Sequence, residues 1–333
     1  MSEQPASHRP GRGDPAGHPT LPELLRRQHG VLTRQQAYAA GLTKAQLEHR
    51  VQTGRWRRLP AGRVFAVFTG PPTRPALLWA SLLRAGRGAV LSHHTAAELQ
   101  GLVDDPWPDV HVTVPGNRRV HRLPGVVLHL RTGIGAARHP SRLPPQTRVE
   151  ETVLDLTQQA GTLDEAIGWL TRAVGRRLST AERIGAAMDR RAKLRWRAEL
   201  GAALADVADG CHSPLELHYL RDVERAHHLP TGHRQAARAR QGGHWYDDVY
   251  YLGYRTRVEL DGRVAHPADR RWRDAHRDNA AAVLGDTTLR YGWADVVEAP
   301  CGVAAQVGAV LRRNGWAGPP RPCGPACTAA SIP

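Results

Sequence analysis

Two threonines and two glycines leave residues 33–54 few ways to fold. Thr33 and Thr43 are both good helix N-caps, and Gly41 and Gly54 close the segments they open, "TRQQAYAAG" and "TKAQLEHRVQTG". Only Leu42 separates the first stop from the second start. Two helices joined so tightly form a helix-turn-helix. Upstream, "LPELLRRQHG" carries apolar residues at helical spacing and ends on Gly30. Downstream, "RWRRLPAGRVFAV" reads as two β-prone runs about a Pro-Ala-Gly turn. Residues 21–70 thus spell a winged helix-turn-helix. Its third helix would present Lys44, Gln46, Glu48, His49 and Arg50, and its wing Arg55, Arg57, Arg58 and Arg63. Those wing arginines suit phosphates. A helical cap with a solvated basic face is the simpler alternative.

Charge points the same way with less force. The chain of 333 residues has a formal net charge of +15, which suggests a polyanionic partner. Lysine occurs only at Lys44 and Lys193, so arginine carries the charge, and such richness in Arg, Ala, Gly and Pro also follows from coding bias. An apolar content of 41% supports real cores, and the length suits two or three domains. No apolar run approaches membrane-spanning length; "PALLWASLLRAG" is too short. Residues 1–20 lack the apolar core of a signal peptide and read as a disordered leader, which makes cytoplasm the expected location. Residues 317–333, rich in Pro and Gly, read as a disordered tail. Cys323 and Cys327 sit in that tail while Cys211 and Cys301 stand alone. The two close ligand pairs of a structural zinc site are therefore not expected.

Residues 71–160 read as a small α/β module, with helices near 75–85 and 92–101, strands in "DVHVTV" and "VVLHLR", and a helix from about Arg148. His93 and His94 open a helix, with no third ligand evident. Residues 161–208 read as a helical connector, in which Ser179 is a candidate N-cap and "RRAKLRWRAEL" a solvated basic face. The stretch "LLRRQHGVLTRQQAYAAGLTKAQLEHRVQTGRWRRLPAGRVFAV", then "LSHHTAAELQGL" and "RVEETVLDL", resembles the antitoxin of abortive-infection type IV toxin–antitoxin systems. The resemblance implies a winged helix followed by a small mixed module, double-stranded DNA as partner, and a toxin or other defence-system protein as a second partner.

The remaining chain concentrates acids where strands are expected. "SPLELHYL" opens on Ser213 with Pro214 at the first helical position, and Ser213 with Glu216 can close a capping box. "DVYYL", a turn at Gly253-Tyr254 and "RTRVELDG" form a hairpin. Strand parity places Glu259 and Asp261 on one face, opposite Val258 and Leu260, and the turn brings Asp248 across from Glu259. Like charges gathered this way repel unless a cation neutralises them. A Mg²⁺ or Mn²⁺ site satisfies the pattern, with Gly262 allowing His266 to return toward it. So does a half-exposed hairpin whose acids pair with Arg255, Arg257 or Arg263.

Glu216, Asp248, "VELDG", His266, "RRWRDAHRDNAAAVLG" and "TLRYGWADVVEAP", in that order and spacing, resemble a small restriction-endonuclease-like domain. That domain is related to the very-short-patch-repair endonucleases of the PD-(D/E)xK group. The resemblance implies an α/β/α domain over residues 209–316 and magnesium-dependent endonuclease activity on DNA. Asp248, Glu259 and Asp261 would hold the metal, His266 would act as acid or base, and Glu216 would support them. Arg277, on one helical face with Arg270 and Asp274, would face phosphate or pair with Asp274. Two departures stand: Asp261 occupies the position usually held by lysine, and the adjacent Asp247 leaves the ligand register open by one step. The overall expectation is an α+β multidomain chain with a magnesium endonuclease at its C-terminal end. The alternative is an antitoxin-like regulator whose nuclease-like domain is inactive.

Overall fold

The computed structural model describes residues 19–59, 64–240, 243–261 and 283–329. The chain divides into two compact units, Met1–Arg148 and Val149–Pro333. No helix among the described residues is long and apolar enough to cross a membrane.

Unit one begins with α1 (Leu21–Arg27), β1 (Val31–Thr33), α2 (Arg34–Ala39), α3 (Lys44–Gln52), β2 (Arg57–Arg58) and β3 (Val64–Ala66). Both threonines cap as their sequence positions require. The Oγ1 atoms of Thr33 and Thr43 accept from the Gln36 and Gln46 backbone N–H groups, and each glutamine carbonyl oxygen accepts from the backbone N–H of its threonine. Gly41 turns the chain between the helices at φ +89°, where a β-carbon would be strained. Leu24, Leu32, Ala37, Leu42, Leu47, Trp56 and Phe65 fill the core beneath. The wing is a three-stranded antiparallel sheet in the order β1-β3-β2, not a bare hairpin. Thr43→Ala removes one acceptor at the start of α3 and should lower that helix's local stability by about 1 kcal/mol. Faster amide exchange confined to α3 is the expected readout.

Next come α4 (Arg74–Ala85), β4 (Val90–Leu91), α5 (His93–Gln100), β5 (Val110–Pro115), β6 (Val126–Arg131) and α6 (Ile134–Ala137). β4 pairs antiparallel and β6 parallel with β5. Trp79 and Leu82 of α4, Val112 and Val114 of β5, and Val31, Val64 and Ala66 of the winged sheet share one buried cluster. The winged helix and the small module are thus fused by a common core.

Unit two opens with α7 (Val149–Gln159), α8 (Leu163–Gly175), α9 (Ala181–Asp189) and α10 (Arg197–Ala208). α8 is amphipathic, and its Thr162 cap accepts from the Glu165 N–H at 3.1 Å. Thr180, not Ser179, caps α9, while Ser179 donates to Glu150 at 2.7 Å. Arg191 departs from the solvated face expected of "RRAKLRWRAEL". It lies half-buried between Glu151 and Asp155, at 2.8 and 2.7 Å, because α7 turns both acids inward and they need a cation.

The second half of unit two runs α11 (Pro214–His218), a wide helical continuation over Tyr219–Arg225, β7 (His233–Arg240), β8 (Gly243–Tyr251), β9 (Thr256–Asp261), β10 (Thr287–Gly292) and α12 (Pro300–Arg313). The sheet order is β10-β9-β8-β7, with antiparallel pairs except for parallel β10 and β9. Leu215, Tyr219, Val249, Val258, Leu260, Val303 and Leu311 pack around it. Composition alone gave residues 317–333 no core, yet Ala329 is 2% exposed within this cluster and Cys327 packs against it.

Candidate nucleic-acid interface and carboxylate cluster

The exposed face of α3 and the wing places some expected contacts outward and spends others on the fold. Lys44, His49, Arg55 and Arg58 are exposed. Lys44 lies 4.0 Å from Glu48, a solvent-screened pair of small energetic weight. Gln46 is committed to the cap of its own helix. Arg50 is half-buried over the Trp56 ring, its centroid 5.6 Å away, and donates to the Gln46 carbonyl. Arg57 lies over Phe68 and donates to the Gly70 carbonyl at 2.9 Å. Among the described residues, Lys44, Arg55 and Arg58 are the exposed cations of α3 and the wing, with Arg50 and Arg57 half-buried beside them. Arg63 lies outside the described residues.

In unit two the β8–β9 register pairs Val249 with Val258 and Tyr250 with Arg257. The same register extended by one pair would set Asp248 opposite Glu259, as the turn position predicts. Asp248 uses Oδ2 to accept from the Leu260 backbone N–H at 2.8 Å, fastening the two strands where the ladder ends. Glu259 is half-buried, and Asp261 is exposed and pairs with Arg290 of β10 at 3.5 Å. Among the described residues, Asp248, Glu259 and Asp261 form no group whose ligand atoms all lie within 4.8 Å. Gly262, Arg263, His266, Arg270, Asp274 and Arg277 lie outside the described residues.

Glu216 is buried, and its position reflects both readings of the sequence. Ser213 accepts from the Glu216 N–H as a cap, but the Glu216 carboxylate reaches past Ser213 to the His212 N–H at 2.9 Å. Burial raises the Glu216 pKa, opposed by that bond and those from Ser213 and Gln235. Two neighbours were not legible in the sequence. His212 senses the charge of Asp248, which partly offsets the lowering of its pKa by desolvation. Gln235, whose amide donates to Glu216 at 3.4 Å, adopts φ +49° within β7. A non-glycine residue held there is strained, and such strain concentrates at functional sites. β7 itself, "HRQAARAR", reads as a loop from its arginines and alanines, and pairing with β8 overrides that propensity.

Asp247, the alternative ligand by register, is 3% exposed and faces Arg257 at 3.6 Å. Arg257 also meets Asp286 at 2.6 Å. Arg257 thus bridges two buried acids, Asp247 and Asp286.

The basic helix-turn-helix is the element that comparison identifies. Residues 19–60 match the model of a family described as "Transcriptional regulator, AbiEi antitoxin". The match covers the antitoxin-like segment from α1 through the start of the wing and leaves the rest of the chain unassigned. A crystal structure of the RV2827C protein from Mycobacterium tuberculosis is similar at 19% identity and a TM-score of 0.38, covering 54% of this chain and 74% of that one. None of the curated proteins compared matches the chain.

Behind the antitoxin-like segment, the module gathers histidines. His111 Nδ1 and His129 Nε2 are 3.1 Å apart, His93 stacks on His129 with centroids 3.6 Å apart, and His94 stacks on Trp107. His93, His111 and His129 form a three-imidazole cluster, supplying the partners that the His93-His94 pair lacked in sequence. Burial, then the neighbouring His129 and His94, lowers the His111 pKa from 6.5 to about 4, and burial lowers that of His129. Depressed imidazole values mean that the folded unit resists protonation which the unfolded chain accepts. Stability of unit one is therefore complete above about pH 6.5 and should fall as the pH drops toward 4. Chemical denaturation at pH 7 and pH 5 should show this loss, and His111→Asn should flatten it. An unchanged midpoint between these pH values would refute the effect.

Proposed function

We propose that the chain is an antitoxin-like, DNA-binding regulator, with α3 and the wing as its duplex-contacting surface. The agreement of the family match over residues 19–60 with a capped helix-turn-helix bearing exposed Lys44, Arg55 and Arg58 carries this reading. α3 would enter the major groove, as the second helix of such motifs does, while Arg55 and Arg58 meet backbone phosphates. A toxin or defence-system partner follows from the family description and belongs to the same proposal.

The second unit supports a narrower statement. Three antiparallel strands and a fourth strand parallel to the third pack against helices there; the restriction-endonuclease-like reading of this unit rests on the sequence resemblance. Three of its carboxylates make contacts within the fold: Asp248 with Leu260, Asp261 with Arg290 and Glu216 with His212. We infer a nuclease-like domain that does not cut. Duplex binding that persists in chelator, with supercoiled plasmid left intact in Mg²⁺ or Mn²⁺, is the expected result. Nicking abolished by Asp248→Ala and Glu259→Ala would replace this reading with the magnesium endonuclease.

A further inference from the structure

Four side chains far apart in sequence meet at one end of the unit-two core. They are His227, after the long helix begun by α11; Cys301, at the second position of α12; and Cys323 and Cys327, in the C-terminal segment. Their ligand atoms all lie within 4.8 Å of one another. The Cys301 and Cys323 sulfurs are 3.6 Å apart. Sulfurs bound tetrahedrally at about 2.3 Å to one zinc ion sit about 3.8 Å apart, whereas a disulfide needs about 2.05 Å.

The histidine supplies an independent observation. His227 is 0% exposed, and its Nδ1–H donates to the Val223 carbonyl at 3.0 Å, which leaves Nε2 as the lone-pair nitrogen. That buried Nε2 has no hydrogen-bond partner among the described residues. A buried acceptor left this way costs stability. A ring whose other nitrogen is fixed by a backbone carbonyl is the usual arrangement of a metal-bound histidine.

Backbone geometry holds the sulfurs in place. The Arg321 N–H donates to the His227 carbonyl at 2.8 Å, pinning the C-terminal segment beside the ring. Cys323-Gly-Pro-Ala-Cys327 turns back on itself through the Cys327 N–H to the Gly324 carbonyl, and the Ala329 N–H donates to the Cys327 sulfur at 3.4 Å. Cys301 stands in the first turn of a 14-residue helix, which fixes its backbone beside the C-terminal segment.

We propose that His227, Cys301, Cys323 and Cys327 form a closed, structural Cys₃His zinc site that staples the C-terminal segment to the second unit. Four protein ligands leave no position for water, so the role is folding rather than catalysis. The site is independent of the DNA-binding reading.

The test uses the full chain purified without chelator. Elemental analysis should find one zinc per chain, and Cys327→Ser and His227→Ala should each reduce that at least several-fold. Wild type stripped of metal and titrated with Co²⁺ should show the visible bands of a tetrahedral ion together with thiolate charge transfer. Zinc should also shield three of the four cysteines from a thiol reagent, which keeps the test decisive if a variant fails to fold. A folded chain without zinc and without the cobalt–thiolate band would overturn the proposal. A Cys301–Cys323 disulfide found by peptide mapping would overturn it equally.

Discussion

Replacing Lys44, Arg55 and Arg58 together by alanine should weaken duplex binding about a hundred-fold at physiological salt. Each phosphate contact contributes about 0.9 to the slope of log K against log salt, or roughly 0.7 of a decade at 0.15 M. Three exposed cations account for about two decades. The variant's salt slope should also drop by roughly three, and fluorescence anisotropy across a salt series reads both quantities. All three side chains are exposed, and Arg58 alone touches the core, its guanidinium 6.0 Å from the Phe65 ring, so the melting temperature should fall only slightly. Replacing Arg57, which is bound to Gly70 and Phe68, should instead disturb the wing itself. Unchanged affinity in the triple variant would show that α3 and the wing are not the duplex surface.

The second large effect concerns Arg257. This guanidinium is 3% exposed, and it neutralises Asp286 at 2.6 Å and Asp247 at 3.6 Å, themselves 8% and 3% exposed. Arg257→Ala leaves two buried carboxylates with reduced compensation, a change that costs about 3–5 kcal/mol. Urea denaturation should show the unfolding free energy of unit two lowered by that amount, with its midpoint at lower urea. Arg257→Lys keeps the charge but loses the two-pronged contact with Asp286, and should recover only part of it. Asp261→Asn breaks an exposed pair with Arg290 and should change stability by less than about 1 kcal/mol. Equal effects from the Arg257→Ala and Asp261→Asn variants would disprove this ranking.

Local signals were legible where one segment decides the outcome by itself. The threonine caps and glycine stops set α2 and α3, because capping needs only residues three apart. Parity and the turn near Gly253 placed Val249 against Val258, because register in a hairpin follows from its turn. What failed to show depends on distant partners. β1 is three residues long and exists only through its pairing with β3. Arg191 reads as a surface residue until α7 brings Glu151 and Asp155 beside it. His212 and Gln235 join Glu216 through packing that no spacing rule encodes. The cysteines mislead for the same reason: two of the four clustered ligands are separated by more than seventy positions from His227 to Cys301, and only the fold closes that gap.

Were α3 the reading helix proposed above, its capping would limit how much sequence one copy of this protein reads. Gln46 is held by Thr43, Glu48 lies near Lys44, and Arg50 covers Trp56. Besides Lys44 and the cap-bound Gln46, the exposed polar side chains of α3 are His49 and Gln52. Each well-placed side chain discriminates a base pair by about 1–3 kcal/mol, so α3 alone resolves only a few positions. A genome contains very many matches to so short a word. Selective regulation would then require the word to be repeated, with several copies of the chain occupying neighbouring sites.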